Sequence, residues 1–98
     1  MKPIQVRLMN DYSAEWPLWT DSDGLTDESD WDLSQTLKRR LTAWAAFFEA
    51  HFDWEHGWDS PAACRQHRTE GVDLHQLLAG ELGAGYDVIL NSWETENC

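Results

Sequence analysis

Residues 32–52 read Asp-Leu-Ser-Gln-Thr-Leu-Lys-Arg-Arg-Leu-Thr-Ala-Trp-Ala-Ala-Phe-Phe-Glu-Ala-His-Phe. Leu37, Leu41, Trp44, Ala45, Phe48 and Phe52 recur at the spacing of one face of an α-helix. Asp32 or Ser34 can accept from the free N–H groups at its start, and Asp32 with Gln35 has capping-box spacing. Such a stripe forms a stable helix only when another apolar surface covers it. The flanking sequence supplies that surface on both sides.

Downstream, Asp53 to Asp59 reads as a connector, with Gly57 as a helix terminator. Ser60-Pro61 then opens a second helix, because Ser accepts from an orphan N–H and Pro is tolerated at the first helical position. It is expected to run to Leu82 with Cys64, His67, Gly71, Leu74, His75, Leu78 and Leu82 inward. A glycine at 71 on that face lets another helix come close. Tyr86, Val88 and Leu90 alternate with Asp87, Ile89 and Asn91, which predicts a closing strand that ends near Trp93. Upstream, Ile4, Val6 and Leu8 alternate with Gln5 and Arg7 in the same way. Trp16-Pro17-Leu18-Trp19 reads as edge strand or ordered loop, since Pro17 cannot donate to a ladder. The expected fold is α+β in the order β-α-α-β. A two- or three-stranded sheet, with residues 4–9 paired to 86–91, packs on two helices in a single domain over 1–98. The tail 94–98 is polar and expected to fray.

The chain has seven Lys+Arg against eighteen Asp+Glu, a net charge of −11. That charge argues against direct binding to nucleic acid or to an anionic membrane. Six of the twelve residues 21–32 are acidic and none is basic, so residues 20–32 are expected to form a solvated acidic loop. Leu25 and Trp31 are the residues able to pin it to the body. The basic run Lys38, Arg39 and Arg40 is expected to answer that loop or simply to solvate the first helix. Seven tryptophans are too many for a core this small to bury completely, so some seal loops onto helices and one or two can serve a binding surface.

No strong catalytic or cofactor motif is present. Against a calcium-loop fingerprint, Asp21, Asp23 and Asp30 fit, but Trp19 would occupy the first position and cannot ligate. His51, Asp53 and His56 straddle a helix end, which spoils the geometry of a zinc site. Cys64 and His67 are one helical turn apart, yet they lie on the inner face, where cysteine is usually inert. No metal ligand, no cofactor and no enzymatic activity is assigned. Two cysteines, no apolar leader and no run long enough to span a membrane predict a reduced, cytoplasmic protein. A bridge from Cys64 to the terminal Cys98 is less expected than free thiols.

Val6-Arg7-Leu8, Asp11-Tyr12, Trp16-Pro17-Leu18-Trp19, Phe52-Asp53, Gly57-Trp58-Asp59-Ser60, Gly71 and Glu81-Leu82-Gly83 resemble a group of small actinobacterial proteins of unassigned function. That resemblance covers most of the chain and implies a domain type without an activity. In Asp32 to Lys38 and the closing Tyr86 to Leu90, the chain is also similar in kind to barstar-like ribonuclease inhibitors. Those are small acidic proteins that hold their target with helix and loop carboxylates. Together these observations point to a non-enzymatic, acidic protein-binding module of inhibitor, immunity or antitoxin type. Its expected partner is a basic protein such as a nuclease or other nucleic-acid enzyme. Trp19, Asp21, Asp23, Asp27, Glu28, Asp30 and Trp31 are the expected contact residues. The alternatives are a small metal- or cation-binding protein and a homodimer whose exposed tryptophans form the seam.

Overall fold

The computed structural model describes residues 2–96 and 98. Met1 lies outside them, as does Asn97, one position of the expected frayed tail. The chain starts with β1 (Ile4–Met9), β2 (Leu18–Thr20) and β3 (Gly24–Leu25), and a short 3-10 helix at Glu28–Asp30 follows. Helix α1 (Gln35–His51) leads into β4 (Phe52–Asp53) and β5 (Gly57–Trp58), and helix α2 (Pro61–Leu82) into β6 (Tyr86–Asn91).

β1 and β6 pair in parallel from Ile4 opposite Tyr86 to Met9 opposite Asn91, the expected partnership. Parallel neighbours need a long crossover, and here both helices lie within it. The sheet is larger than expected. β2 runs antiparallel to β1 and β3 antiparallel to β2, giving the four-stranded order β3-β2-β1-β6.

Ser34 caps α1 by accepting from the Leu37 N–H at 3.1 Å, and Ser60 caps α2 by accepting from Ala63 at the same distance. α1 ends because Phe52 turns extended while its N–H still bonds the Phe48 carbonyl. The expected connector 53–59 is instead the small antiparallel hairpin β4–β5, in which Gly57 adopts a φ of +75°. A left-handed φ of that size favours glycine.

Val6, Leu8 and Leu18 face the helices, where Leu37, Leu41, Trp44, Leu74 and Leu78 meet them, all nearly fully buried. Both helices therefore cover the same face of the sheet. Close approach of α1 to α2 depends on Gly71, as its inward position predicts: a Cβ there would lie 3.0 Å from the Trp44 ring. That ring cannot retreat, because it stacks on His67 at 4.5 Å and its N–H donates to the His67 carbonyl. Arg40 forks onto the Glu70 carboxylate of α2 at 2.7 and 3.1 Å. The basic run thus ties helix to helix through Arg40 rather than answering the acidic segment.

Candidate functional site

The acidic segment is ordered rather than a loose loop. Asp21, Ser22 and Asp23 turn between β2 and β3, and the Asp23 N–H donates to Thr20 Oγ1 at 3.2 Å. Thr26 then locks the segment to the sheet: its N–H and its hydroxyl both donate to the Leu18 carbonyl, at 3.1 and 2.7 Å. The 3-10 turn closes on itself as the Asp27 N–H donates to Asp30 Oδ2 at 2.9 Å. Ser29 donates to Asp27 Oδ2 at 2.6 Å, and this bond above all holds the Asp27 carboxyl below the usual carboxylate range.

Asp21, Asp23, Asp27 and Asp30 are exposed and Glu28 is half-buried. The salt bridge here is Asp21 to Arg7 of β1, at 3.7 Å. The segment therefore lines one end of the sheet with carboxylates, of which Asp27 is held by a hydroxyl donor and Asp30 by a backbone donor.

The two expected aromatic anchors differ. Trp19 is half-buried, and its indole N–H donates to the Met9 carbonyl at 3.0 Å. Trp31 is only 8% exposed: it belongs to the core, and its N–H donates to Thr26 Oγ1 at 2.8 Å. Trp31 therefore pins the segment to the body and presents no anchor to a partner. Leu25, the other expected pin, is 43% exposed instead.

At the opposite end of the molecule the expectation of a frayed tail fails at Glu94 and Thr95. Trp93–Thr95 forms a 3-10 turn, with Glu94 and Thr95 buried. A Cys64–Cys98 disulfide ties the chain end to the first turn of α2, so the two cysteines are not free thiols. Glu94 reaches a buried polar centre. Asn10 Nδ2 donates to Glu94 Oε2 at 2.7 Å, and His67 Nε2 lies 2.9 Å from the same oxygen and 2.7 Å from Asn10 Nδ2. A single imidazole nitrogen either donates or accepts, so Nε2 serves one of these two neighbours at a time. Asn10 Oδ1, His67 Nδ1 and Glu94 Oε1 are buried without a hydrogen-bond partner among the described residues. The ring N–H groups of Trp58 and Trp93 donate to the Glu94 and Asn10 carbonyls at 2.7 and 2.8 Å, which seals the centre.

Sequence reasoning missed this centre. The available signal was His67 itself, a polar ring on the inward stripe that needs a buried partner. The histidines weighed as metal ligands are each paired with a carboxylate, His51 with Asp59 and His56 with Asp53. Asp53, Glu55 and His56 bring potential ligand atoms within 4.8 Å of one another, all on exposed residues. The His56 contact is the main cause of an Asp53 carboxyl held below its usual range.

A family model described as Serratia CdiI immunity protein-like matches residues 4–92, from β1 through β6. The chain belongs to the Serratia CdiI immunity protein-like family. An immunity protein of this kind binds a toxin partner, and the acidic sheet end lies wholly inside the matched span. Glu94 and Cys98 lie beyond it, so the family match does not rest on the clasped tail. No curated protein matches the chain. Among the described residues, no helix is long and apolar enough to cross a membrane.

Proposed function

We propose that this CdiI-like protein neutralises a basic toxin, a nuclease or other nucleic-acid enzyme, by covering its cationic surface with the carboxylates of residues 21–30. The observation that carries the reading is the ordered display of Asp21, Asp23, Asp27 and Asp30 on one sheet end of a chain with net charge −11. An enzyme that handles nucleic acid carries a cationic groove, and a concentrated negative surface raises its encounter rate with such a groove. Hydrogen bonds from Thr26 and Ser29 hold the segment in place before binding, so little ordering entropy is lost on association. Trp19 beside them supplies aromatic area to retain the partner. Inhibition of this kind is binding, not catalysis, and needs no metal.

The test is co-expression with the product of the neighbouring gene, taken as the candidate toxin. Growth is rescued, a stoichiometric complex purifies, and the toxin's activity on nucleic acid falls as the chain is titrated in. A toxin that this chain neither binds nor inhibits contradicts the reading, and so does one that it inhibits but that has no basic surface.

A further inference from the structure

Both helices lie on one face of the sheet, and on the other Gln5, Arg7, Asp87 and Ile89 are exposed. The strand registers bring four side chains into one row across it. Leu25 stands opposite Trp19, Trp19 opposite Arg7, and Arg7 opposite Ile89. Residues directly opposite on neighbouring strands carry Cβ atoms about 5 Å apart, so the row is continuous. Leu25 and Ile89 are 43% and 40% exposed, and the Arg7 side chain is 44% exposed.

Exposed aliphatic side chains gathered on the sheet face away from the helices depart from the usual pattern, in which that face turns polar. Carboxylates border the row: Asp21 beside Arg7, and Asp87, which shares the outward face of β6 with Ile89. Aromatic and aliphatic side chains that flank an arginine and are bordered by carboxylates make a mixed surface of the kind that protein interfaces use.

We infer that this outer row is the seat of the partner, with Leu25 and Trp19 on one side of Arg7 and Ile89 on the other as its apolar contacts, and the acidic sheet end as its rim. The inference rests on the functional reading above and adds to it a surface with two further contact residues, Leu25 and Ile89. The occupant is a basic protein surface. A second copy of this chain would bring the same carboxylates against Asp21 and Asp87, and each chain carries a net charge of −11. Partner addition at the sheet edge is also opposed. His75 Nε2 occupies the Val88 carbonyl on β6 at 2.8 Å, and the opposite edge strand β3 has two residues.

The experiment measures binding of the purified chain to the candidate toxin named above, by surface plasmon resonance at physiological salt. The variants are Ile89→Asp and Leu25→Asp, with Val72→Asp on the exposed side of α2 as control. Circular dichroism and melting temperature verify the fold of each. Ile89→Asp is expected to weaken the complex by about 30-fold or more, the loss of an apolar contact, mostly through faster dissociation. Val72→Asp stays within about threefold of wild type, as a substitution outside the interface should. Should an added charge disturb the sheet, Ile89→Ala and Leu25→Ala remove the same contacts without one, and their double variant is expected to lose about tenfold. Wild-type affinity in folded Ile89→Asp overturns the outer-row seat while leaving the functional reading intact. Failure of the wild type to bind the toxin overturns that reading and the seat with it. A wild-type dimer that Ile89→Asp converts to monomer also overturns the seat, because the occupant is then a second copy.

Discussion

The two ends of the sheet carry carboxylates in opposite ways. At residues 21–30 they come as a run and remain at the surface, with Asp27 and Asp30 held by short local hydrogen bonds. Beyond β6 a single one, Glu94, is carried into the core between Asn10 and His67, and a disulfide closes the chain end over it. Several like charges cannot all be desolvated, so a run stays in water. One carboxylate can be buried when donors await it, and the rest of its surroundings must then supply the stability that an incompletely satisfied network lacks. The acidic end is built for encounter, and the tail is built to hold.

The largest effect that would break this contrast is at Glu94. Glu94→Ala strips Asn10 and His67 of their shared partner and is expected to cost about 1–3 kcal/mol for each buried polar group left unpaired, measured by chemical denaturation. Glu94→Gln keeps an oxygen near Asn10 and His67 and should cost less. If Glu94→Ala melts like the wild type, the polar centre does not hold the tail.

The disulfide comes next. It spans a sequence separation of 34, and closing such a loop in the unfolded chain is worth about 3–4 kcal/mol. Cys98→Ser, or reduction of the wild type, should lower stability by up to that amount. It should also raise hydrogen exchange selectively in the tail and the first turn of α2, with α1 protected as before. Uniform loss of protection would show that the clasp serves the whole fold instead.

The smallest effect lies at the acidic end. Asp27 has its carboxyl held below the ordinary value by the Ser29 hydroxyl. Its contribution is present above the unfolded-state pKa of about 3.9 and is lost as pH falls through the lower folded value. The difference in melting temperature between wild type and Asp27→Asn should therefore grow as pH rises towards about 4 and stay constant above it. A difference that first appears at neutral pH would contradict this assignment.

Local pattern carried most of the fold. The spacing of Leu37, Leu41, Trp44 and Phe48, the Ser60-Pro61 start and the alternation in residues 4–9 and 86–91 each depend on near neighbours, and each element stands where its pattern put it. The β4–β5 hairpin was read as a bare connector because its strands have two residues each, too few to show a period. The buried centre was beyond local reading for another reason. Asn10, His67 and Glu94 are separated by 57, 27 and 84 positions, and nothing in the neighbourhood of any one of them names the other two. The tail was read from polarity alone, which overlooks what Trp93 and Cys98 can anchor. At the candidate site the run of carboxylates was legible and its ordering was not. That ordering depends on Thr26 and on burial of Trp31, a ring that composition could not distinguish from a surface anchor.

The central claim is that the acidic end acts at a distance before contact. Its direct test is the association rate with the toxin domain, followed by stopped-flow tryptophan fluorescence for wild type and for a variant in which Asp21, Asp23, Asp27 and Glu28 become Asn or Gln. Steering predicts at least a roughly tenfold slower association for the variant at low salt, and rates that converge as salt approaches about 0.5 M, with dissociation little changed. An association rate at low salt equal to that of the wild type would contradict the claim.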